Sequence, residues 1–171
     1  MPDLDWQTDL ARALVDGRVD VAAYVPDSRL NGVLDALAGQ GVVLRSLARE
    51  EECVGYAAGA RIAGRRPVVL MQSSGLGNSL NALGSLAVPY RLGLPLVVSM
   101  RGTLGERNAS QVPMGRATVP FLAALGIQTF SLRRSVDVAG LVAGVLDLVD
   151  GAGETAAVLL EPELGGGRAG N

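Results

Sequence analysis

Three adjacent acids, Glu50, Glu51 and Glu52, begin a segment whose remaining residues are mostly alanine and glycine. The segment predicts a helix, and the positive partial charge at a helix N-terminus stabilises carboxylates as anions. The small side chains behind the acids allow another backbone to pack closely. The pattern therefore predicts a charged side chain at a closely packed boundary where a ligand is bound. The alternative interpretation is that the three acids only complement the helix dipole.

The absent residue types narrow the chemistry further. The sequence contains no histidine, and all 15 of its basic residues are arginines. Schiff-base chemistry, a phosphate-binding lysine and a histidine general base are therefore excluded. Arginine holds anions but is a poor proton carrier, because it stays charged at any working pH. Proton transfer is left to carboxylates, to the single cysteine Cys53, and to Tyr24, Tyr56 and Tyr90.

Length and composition favour one cytoplasmic domain. The chain has 171 residues, and we expect a single domain over 1–164 and a flexible glycine-rich tail over 165–171. The net charge of −2 and the scattered arginines indicate no nucleic-acid partner, and no apolar run is long enough to span a membrane. A single cysteine suits a reducing compartment. The hydrophobic content of 49% suggests an interface with another polypeptide, or a compositional bias toward alanine and glycine.

The hydrophobic pattern predicts alternating helices and strands. Helical segments are expected over 4–15, 50–62, 75–87, 118–125 and 136–149, and a further one is capped by Asp27 or Ser28 and ends at Gly39. Short apolar strands are expected over 21–25, 42–44, 67–71, 94–100, 127–131 and 156–160. Residues 101–114 are polar and rich in turn formers, so they predict the longest loop.

Apolar strands without polar alternation, separated by helices, indicate a parallel sheet that helices cover on both faces. We therefore predict a doubly wound α/β fold with a mainly parallel sheet. Binding sites in such folds lie beyond the carboxyl ends of the strands. Three segments are expected to meet at that edge: the approach to Glu50, residues 72–81, and the loop that begins at Arg101.

A second candidate motif follows the third predicted strand. Residues 71–81 read Met-Gln-Ser-Ser-Gly-Leu-Gly-Asn-Ser-Leu-Asn, a strand end that runs through glycines into a helix. Such turns let backbone amides approach a ligand. However, Leu80 replaces the third glycine of a dinucleotide-binding fingerprint, and a phosphate-binding loop would need a lysine. Alone, the motif favours a tight strand-to-helix connection with Asn78 or Ser79 as the helix cap.

Taken in order, these segments resemble one enzyme family. Glu50 precedes Gly59 by nine residues, the motif at 71–81 follows, and Arg101-Gly102 and the run Gln-Val-Pro-Met-Gly-Arg at 111–116 complete the set. The set resembles the pyrimidine-binding domain of thiamine diphosphate-dependent decarboxylases. Within this family it is most similar to the alpha subunit of sulfopyruvate decarboxylase and to the corresponding half of phosphonopyruvate decarboxylase. The resemblance covers roughly residues 10–160 and implies the alpha subunit of a 2-oxoacid decarboxylase.

The resemblance implies a catalytic role for Glu50. In this family a glutamate exchanges a proton with N1′ of the cofactor's aminopyrimidine, and this exchange promotes loss of the proton from the thiazolium C2. No histidine is needed for that step. A carboxylate in a partly apolar seam is suited to share a proton with a weakly basic ring nitrogen. By its spacing to Gly59, Glu50 is assigned this role, with Glu51 and then Glu52 as alternatives.

The same resemblance implies that the glycine-rich segment lines the cofactor at a subunit boundary. The implied lining residues are Gln72, Ser73, Gly75 and Asn78. Close relatives have Gln-Asn-Ser where this chain has Gln-Ser-Ser at 72–74, so the chain lacks the hydrogen-bonding amide that those relatives carry at the second position.

The other half of such an active site is absent from the sequence. Thiamine diphosphate enzymes hold the diphosphate and Mg²⁺ with a Gly-Asp-Gly turn followed by an asparagine pair, and neither pattern occurs among these residues. The resemblance therefore implies a separate beta subunit that anchors thiamine diphosphate and Mg²⁺, with the cofactor between the two subunits. This chain is expected to supply no metal ligand.

The resemblance also implies a 2-oxoacid substrate that carries a second anion. The loop over 101–111 contains Arg101 and Arg107, whose planar donors suit sulfonate or phosphonate oxygens, and Gln111 is a further candidate contact. Loop arginines are commonly solvated instead. Two other functions stay open: a carboligase of the same family, which forms acyloins, and a non-catalytic α/β binding module that has kept the glycine-rich segment.

Overall fold

The computed structural model describes residues 5–103 and 105–164. Within these ranges, the helices are α1 (Trp6–Asp16), α2 (Asn31–Gly39), α3 (Glu50–Ile62), α4 (Ser73–Ala82), α5 (Val112–Ala124) and α6 (Val138–Ala152). The strands are β1 (Val21–Tyr24), β2 (Val43–Ser46), β3 (Pro67–Gln72), β4 (Pro95–Ser99), β5 (Gln128–Leu132) and β6 (Ala156–Leu160). A π-helical turn, Leu83–Ala87, extends α4. The predicted tail at 165–171 lies outside the described residues.

The strands form one parallel sheet in the order β2-β1-β3-β4-β6-β5. Helices α1, α2 and α6 pack together on one face, and α3, α4 and α5 on the other. The predicted doubly wound α/β fold is therefore confirmed. The strand order reverses at β1, so the carboxyl ends of β1 and β3 flank the crevice where such folds bind ligands. In the described part of the chain, no helix has the length and apolar character to cross a membrane.

Two separate apolar cores explain why the strands lack polar alternation. In β3, Val68 and Leu70 pack against the α1, α2 and α6 layer, whereas Val69 and Met71 pack against the α3, α4 and α5 layer. All four side chains are fully buried. Because successive side chains of a strand point to opposite faces, a sheet covered on both faces needs apolar residues at every position.

The helix predicted to begin at Thr118 begins instead at Val112. Pro113 lies in its first turn, where a missing amide hydrogen removes no helical hydrogen bond. A 3₁₀ turn over Ala109–Gln111 leads directly into this helix. The polar loop is therefore shorter than predicted, because a proline that we interpreted as a loop residue belongs to the start of α5.

The glycine-rich segment is also helical, rather than a turn that leads into a helix. Helix α4 begins at Ser73 directly after β3, with Gln72 at the N-cap position. The prediction that Asn78 or Ser79 caps this helix is therefore wrong, because both residues lie within it.

Close packing accounts for the two glycines inside α4. Neither Gly75 nor Gly77 has a positive φ, so no turn conformation requires them. A Cβ on Gly75 would lie 2.1 Å from Oε1 of Glu50, and one on Gly77 would lie 2.7 Å from Cε of Met114. The glycines let side chains from α3 and α5 lie directly on the backbone of α4.

Candidate functional site

The structure gives the three adjacent acids different surroundings. The Oε2 atom of Glu52 accepts hydrogen bonds from the backbone amides of Ala48 and Arg49, at 3.1 and 3.2 Å, so Glu52 caps the start of α3. Glu51 pairs with the exposed Arg49 side chain at 3.2 Å. Both of these acids therefore serve the N-terminus of α3, in agreement with the helix-dipole interpretation for them.

Glu50 instead turns towards α4, on the sheet-facing side of α3. Its side chain is half-buried, its Oε1 lies against Gly75, and its Oε2 accepts a hydrogen bond of 3.3 Å from Nδ2 of Asn78. Among the described residues, Asn78 supplies the only hydrogen bond to this carboxylate. No hydrogen-bond donor in the described part of the chain engages Oε1, which lies against Gly75.

The other predicted lining residues connect β3, α4 and the following loop. The Ser74 hydroxyl donates to Oε1 of the half-buried Gln72 at 2.6 Å. Ser73 is fully buried, and its Oγ accepts a hydrogen bond of 3.1 Å from the Arg101 amide. The structure thus brings Glu50, Gly75 and Asn78 into contact, and it places Ser73 beneath the surface as an anchor for the loop.

The loop that follows β4 folds around Glu106, an acid that is not among the predicted site residues. Arg101 donates from Nε and Nη2 to the two carboxylate oxygens of Glu106, at 2.7 and 3.0 Å. The Glu106 side chain is only 6% exposed. Arg107 is exposed, and Oε1 of Gln111 is buried without a hydrogen-bond partner in the described part of the chain. Arg101 and Arg107, equivalent candidates in the sequence, therefore have different surroundings.

The contacts of Glu106 predict a specific dependence of stability on pH. Hydrogen bonds from the Arg101 side chain and from the amides of Asn108 and Gly102 lower the pKa of Glu106 from its ordinary 4.5 to about 2. A lowered folded-state pKa contributes stability that is fully present above pH 4.5 and is lost as the pH falls towards 2. We expect the stability difference between wild type and Glu106→Gln, measured by urea unfolding, to be largest at pH 7 and to shrink below pH 4.5. A difference that stays constant from pH 7 to 3 would contradict this assignment.

Two of the other candidate proton carriers, Cys53 and Tyr56, are poorly suited to catalysis. Cys53 is fully buried, and burial, together with the nearby Glu50 and Glu52 carboxylates, raises the pKa of its thiol to about 12. Tyr56 accepts a hydrogen bond from Nε of Arg45 on the outer surface of α3. Tyr24, at the end of β1, and Glu50 are both half-buried at the carboxyl edge, whereas Tyr90 precedes the amino end of β4 and is exposed.

A second polar cluster at this edge was not predicted. Asp27, three residues after the end of β1, accepts hydrogen bonds from the hydroxyl of the buried Ser99 and from the amide of Arg29. Arg29 in turn donates to the carbonyls of Met100 and Leu160, at 3.3 and 3.1 Å. The cluster ties the end of β1 to the ends of β4 and β6. Its sequence signal was an acid shortly after the first strand, which we interpreted only as a helix cap.

Comparisons with known proteins agree with this arrangement. Residues 5–112 match the family of thiamine pyrophosphate enzymes, N-terminal TPP binding domain. The sulfopyruvate decarboxylase subunit alpha of Methanothermobacter thermautotrophicus is 39% identical over 147 residues, which are 85% of this chain and 89% of that subunit. The sulfopyruvate decarboxylase of Methanosarcina acetivorans is 39% identical over 109 residues, which are 64% of this chain and 28% of that longer protein.

A solved structure shares the fold. The 2-oxoglutarate:ferredoxin oxidoreductase from Magnetococcus marinus superposes on this chain with a TM-score of 0.71 and a sequence identity of 15%. The superposition covers 92% of this chain and 29% of the oxidoreductase chain. The relatives confirm the predicted thiamine diphosphate-dependent decarboxylase subunit and do not favour the carboligase or the non-catalytic module. The chain belongs to the thiamine pyrophosphate enzymes and contains their N-terminal TPP binding domain.

Proposed function

We propose that this chain is the alpha subunit of a two-component decarboxylase for 2-oxoacids that carry a second anion, such as sulfopyruvate or phosphonopyruvate. We assign the catalytic carboxylate to Glu50. One observation carries this assignment: Glu50 lies against Gly75 and Asn78 with one oxygen free of protein donors in the described residues, while Glu51 and Glu52 are engaged at the helix start.

The residues around Glu50 fit the pyrimidine ring of thiamine diphosphate. A half-buried carboxylate can hold a proton at N1′, Asn78 orients that carboxylate, and the missing Cβ of Gly75 gives it room. Gln72, at the end of β3, is a further candidate contact for the ring. When bound, thiamine diphosphate supplies the carbon nucleophile that adds to the 2-oxoacid carbonyl and accepts the electron pair left by CO₂.

We assign the diphosphate and Mg²⁺ to a partner subunit. Among the described residues, no three acidic or cysteine side chains converge in a way that could hold a metal ion. This chain covers 89% of the alpha subunit from Methanothermobacter thermautotrophicus. It covers only 28% of the longer sulfopyruvate decarboxylase from Methanosarcina acetivorans. The name subunit alpha of the first relative supports a partner subunit, and we assign the remaining part of the active site to it.

The outer face of α3 is the surface that best fits this partner. A Cβ on Gly55 or Gly59 would meet nothing within 4 Å, so this face is smooth and open. Tyr56 and Ile62 on the same face are 37% and 72% exposed, which is high for large apolar side chains. Glu50 turns to the other side of α3, towards α4, so a subunit packed along this face would reach it around the first turn of the helix.

A bulky residue on this face is expected to weaken subunit association selectively. Gly59→Arg should raise the Kd for the beta subunit by at least about tenfold, because the side chain occupies space that the partner needs. The stability of the isolated alpha subunit should not fall, since nothing within 4 Å is displaced. Isothermal titration with the beta subunit measures the Kd. Gly144→Arg on the outer face of α6, which is equally open, is the matched control. Equal weakening by both variants would argue against an interface on α3.

Reconstitution tests the proposed function directly. The alpha and beta subunits are co-purified and mixed with thiamine diphosphate and Mg²⁺, and CO₂ and aldehyde are followed from sulfopyruvate, phosphonopyruvate and pyruvate. We expect release from an acid with a second anion only when both subunits are present. Acyloin without free aldehyde would indicate a carboligase, and inactivity of the complex towards all three acids would overturn the proposal.

A further inference from the structure

The loop after β4 is organised by one buried carboxylate. Glu106 accepts four hydrogen bonds: two from the Arg101 guanidinium, one from the Gly102 amide at 3.2 Å, and one from the Asn108 amide at 2.9 Å. We call these four residues the Glu106 cluster. A carboxylate is an acceptor on both oxygens, so it can satisfy all four donors at once, which a neutral amide cannot do.

The Glu106 cluster is joined rigidly to the helices on either side of it. The Arg101 amide donates to Oγ of Ser73, at the start of α4. A Cβ on Gly115 in α5 would lie 1.9 Å from the Arg101 carbonyl oxygen, so the loop lies directly on the backbone of α5. Ser73 precedes Gly75, which contacts Glu50, in the same helical turn. A shift of the loop would therefore displace the first turn of α4, which contacts Glu50.

The cluster also distinguishes the two arginines of the loop. The Arg101 guanidinium is bound in a bidentate ion pair and is two-thirds buried, with 33% of its side chain exposed. The Arg107 side chain is exposed, and no ion pair engages it within the described residues. A second anion on a substrate would have to displace Glu106 to reach Arg101, whereas it could approach Arg107 without breaking an ion pair among the described residues.

We propose that Glu106 is a positioning residue that commits Arg101 to the loop's internal structure and leaves Arg107 to bind the second anionic group of the substrate. The identity of that substrate rests on the proposed function, whereas the role of Glu106 in ordering the loop does not. The Glu106 cluster thus orders the loop without a substrate, and specificity for the second anion comes from Arg107, which no ion pair among the described residues neutralises.

Hydrogen exchange tests the positioning role without any need for activity. In the assembled complex, the Gly102 and Asn108 amides should be protected, since both donate to Glu106. Glu106→Gln should accelerate exchange in this loop by about tenfold or more, because the half-buried Arg101 loses its counter-charge. Glu154→Gln, at an exposed position distant from the loop in sequence, should leave exchange unchanged. Equal exchange in wild type and Glu106→Gln would overturn the positioning role.

Ligand binding tests the role of Arg107. Sulfoacetate, which carries a carboxylate and a sulfonate but cannot be decarboxylated in the same way, serves as the probe for titration of the complex. Arg107→Gln should weaken its binding about tenfold, the usual effect of losing one charge-assisted hydrogen bond. Arg12→Gln on α1, where the arginine is 62% exposed, is the matched control. Unchanged binding in Arg107→Gln would overturn this assignment.

Kinetics separates the present inference from the proposed function. In an active complex, Arg107→Gln should raise KM for sulfopyruvate about tenfold while leaving kcat for the same acid within about twofold. An unchanged KM, or a fall in kcat alone, would show that Arg107 does not bind the second anion. A wild-type complex that decarboxylates neither sulfopyruvate nor phosphonopyruvate would remove the proposed function, and hydrogen exchange would still decide whether Glu106 orders the loop.

Discussion

Glu50→Gln is expected to lower kcat of the assembled enzyme by about 10²- to 10⁴-fold, the usual contribution of a general acid or base. Glutamine has nearly the same size and can still accept a hydrogen bond from Asn78, but it cannot exchange a proton. Folding should be unaffected, because the helix is capped by Glu52 and not by Glu50. Steady-state release of CO₂ from the reconstituted complex measures the effect, and a thermal melt checks the fold.

Glu51→Gln provides the matched control for this prediction. Its carboxylate pairs with Arg49, and both side chains are well exposed, so the pair contributes little to stability. We expect this variant to retain activity within about twofold of wild type, because its side chain takes no part in the proton exchange. Full activity in Glu50→Gln combined with loss in Glu51→Gln would transfer the catalytic role to the second acid.

Gly75→Ala is expected to reduce activity by about 10- to 100-fold with little loss of stability. A Cβ at this position would lie 2.1 Å from Oε1 and 2.4 Å from Cγ of Glu50, so the two groups cannot occupy their present places together. The Glu50 side chain can rotate away at small cost, since its end is half-exposed. Displacing a catalytic group by about 1 Å can cost roughly a hundredfold in rate. Activity assays and urea unfolding on the same variant separate the two effects.

Gly115→Ala shows the opposite behaviour and serves as the comparison. Its Cβ would lie 1.9 Å from the Arg101 carbonyl oxygen, a backbone atom that cannot rotate away. We therefore expect a loss of about 1–3 kcal/mol in unfolding free energy, as for other overpacked sites. If Gly75→Ala also lost stability to this extent, the clash would not be relieved by the Glu50 side chain, and its activity loss would no longer report on that residue.

Apolar runs in the sequence predicted all six strands and their parallel arrangement. Strands buried on both faces, such as β3 and β4, need apolar residues at every position, so their signal is strong and local. The boundaries of α4 and α5 were harder to predict. A proline suits a loop as well as the first turn of a helix, so Pro113 did not locate the start of α5. Gly75 and Gly77 resembled turn residues, although neighbouring helices require them.

The sequence by itself determined the fold class and the type of chemistry. Without histidine or lysine, proton exchange was left to carboxylates, Cys53 or tyrosines, and the resemblance of the ordered motifs indicated a thiamine diphosphate enzyme that uses a glutamate. Only the tertiary structure decided which acid is free and which arginine is neutralised. The deciding contact of Glu50 is with Asn78, 28 residues away in the chain. Adjacent residues with the same chemistry look alike in a sequence, and their different roles arise when folding brings distant partners to one of them and not to the others.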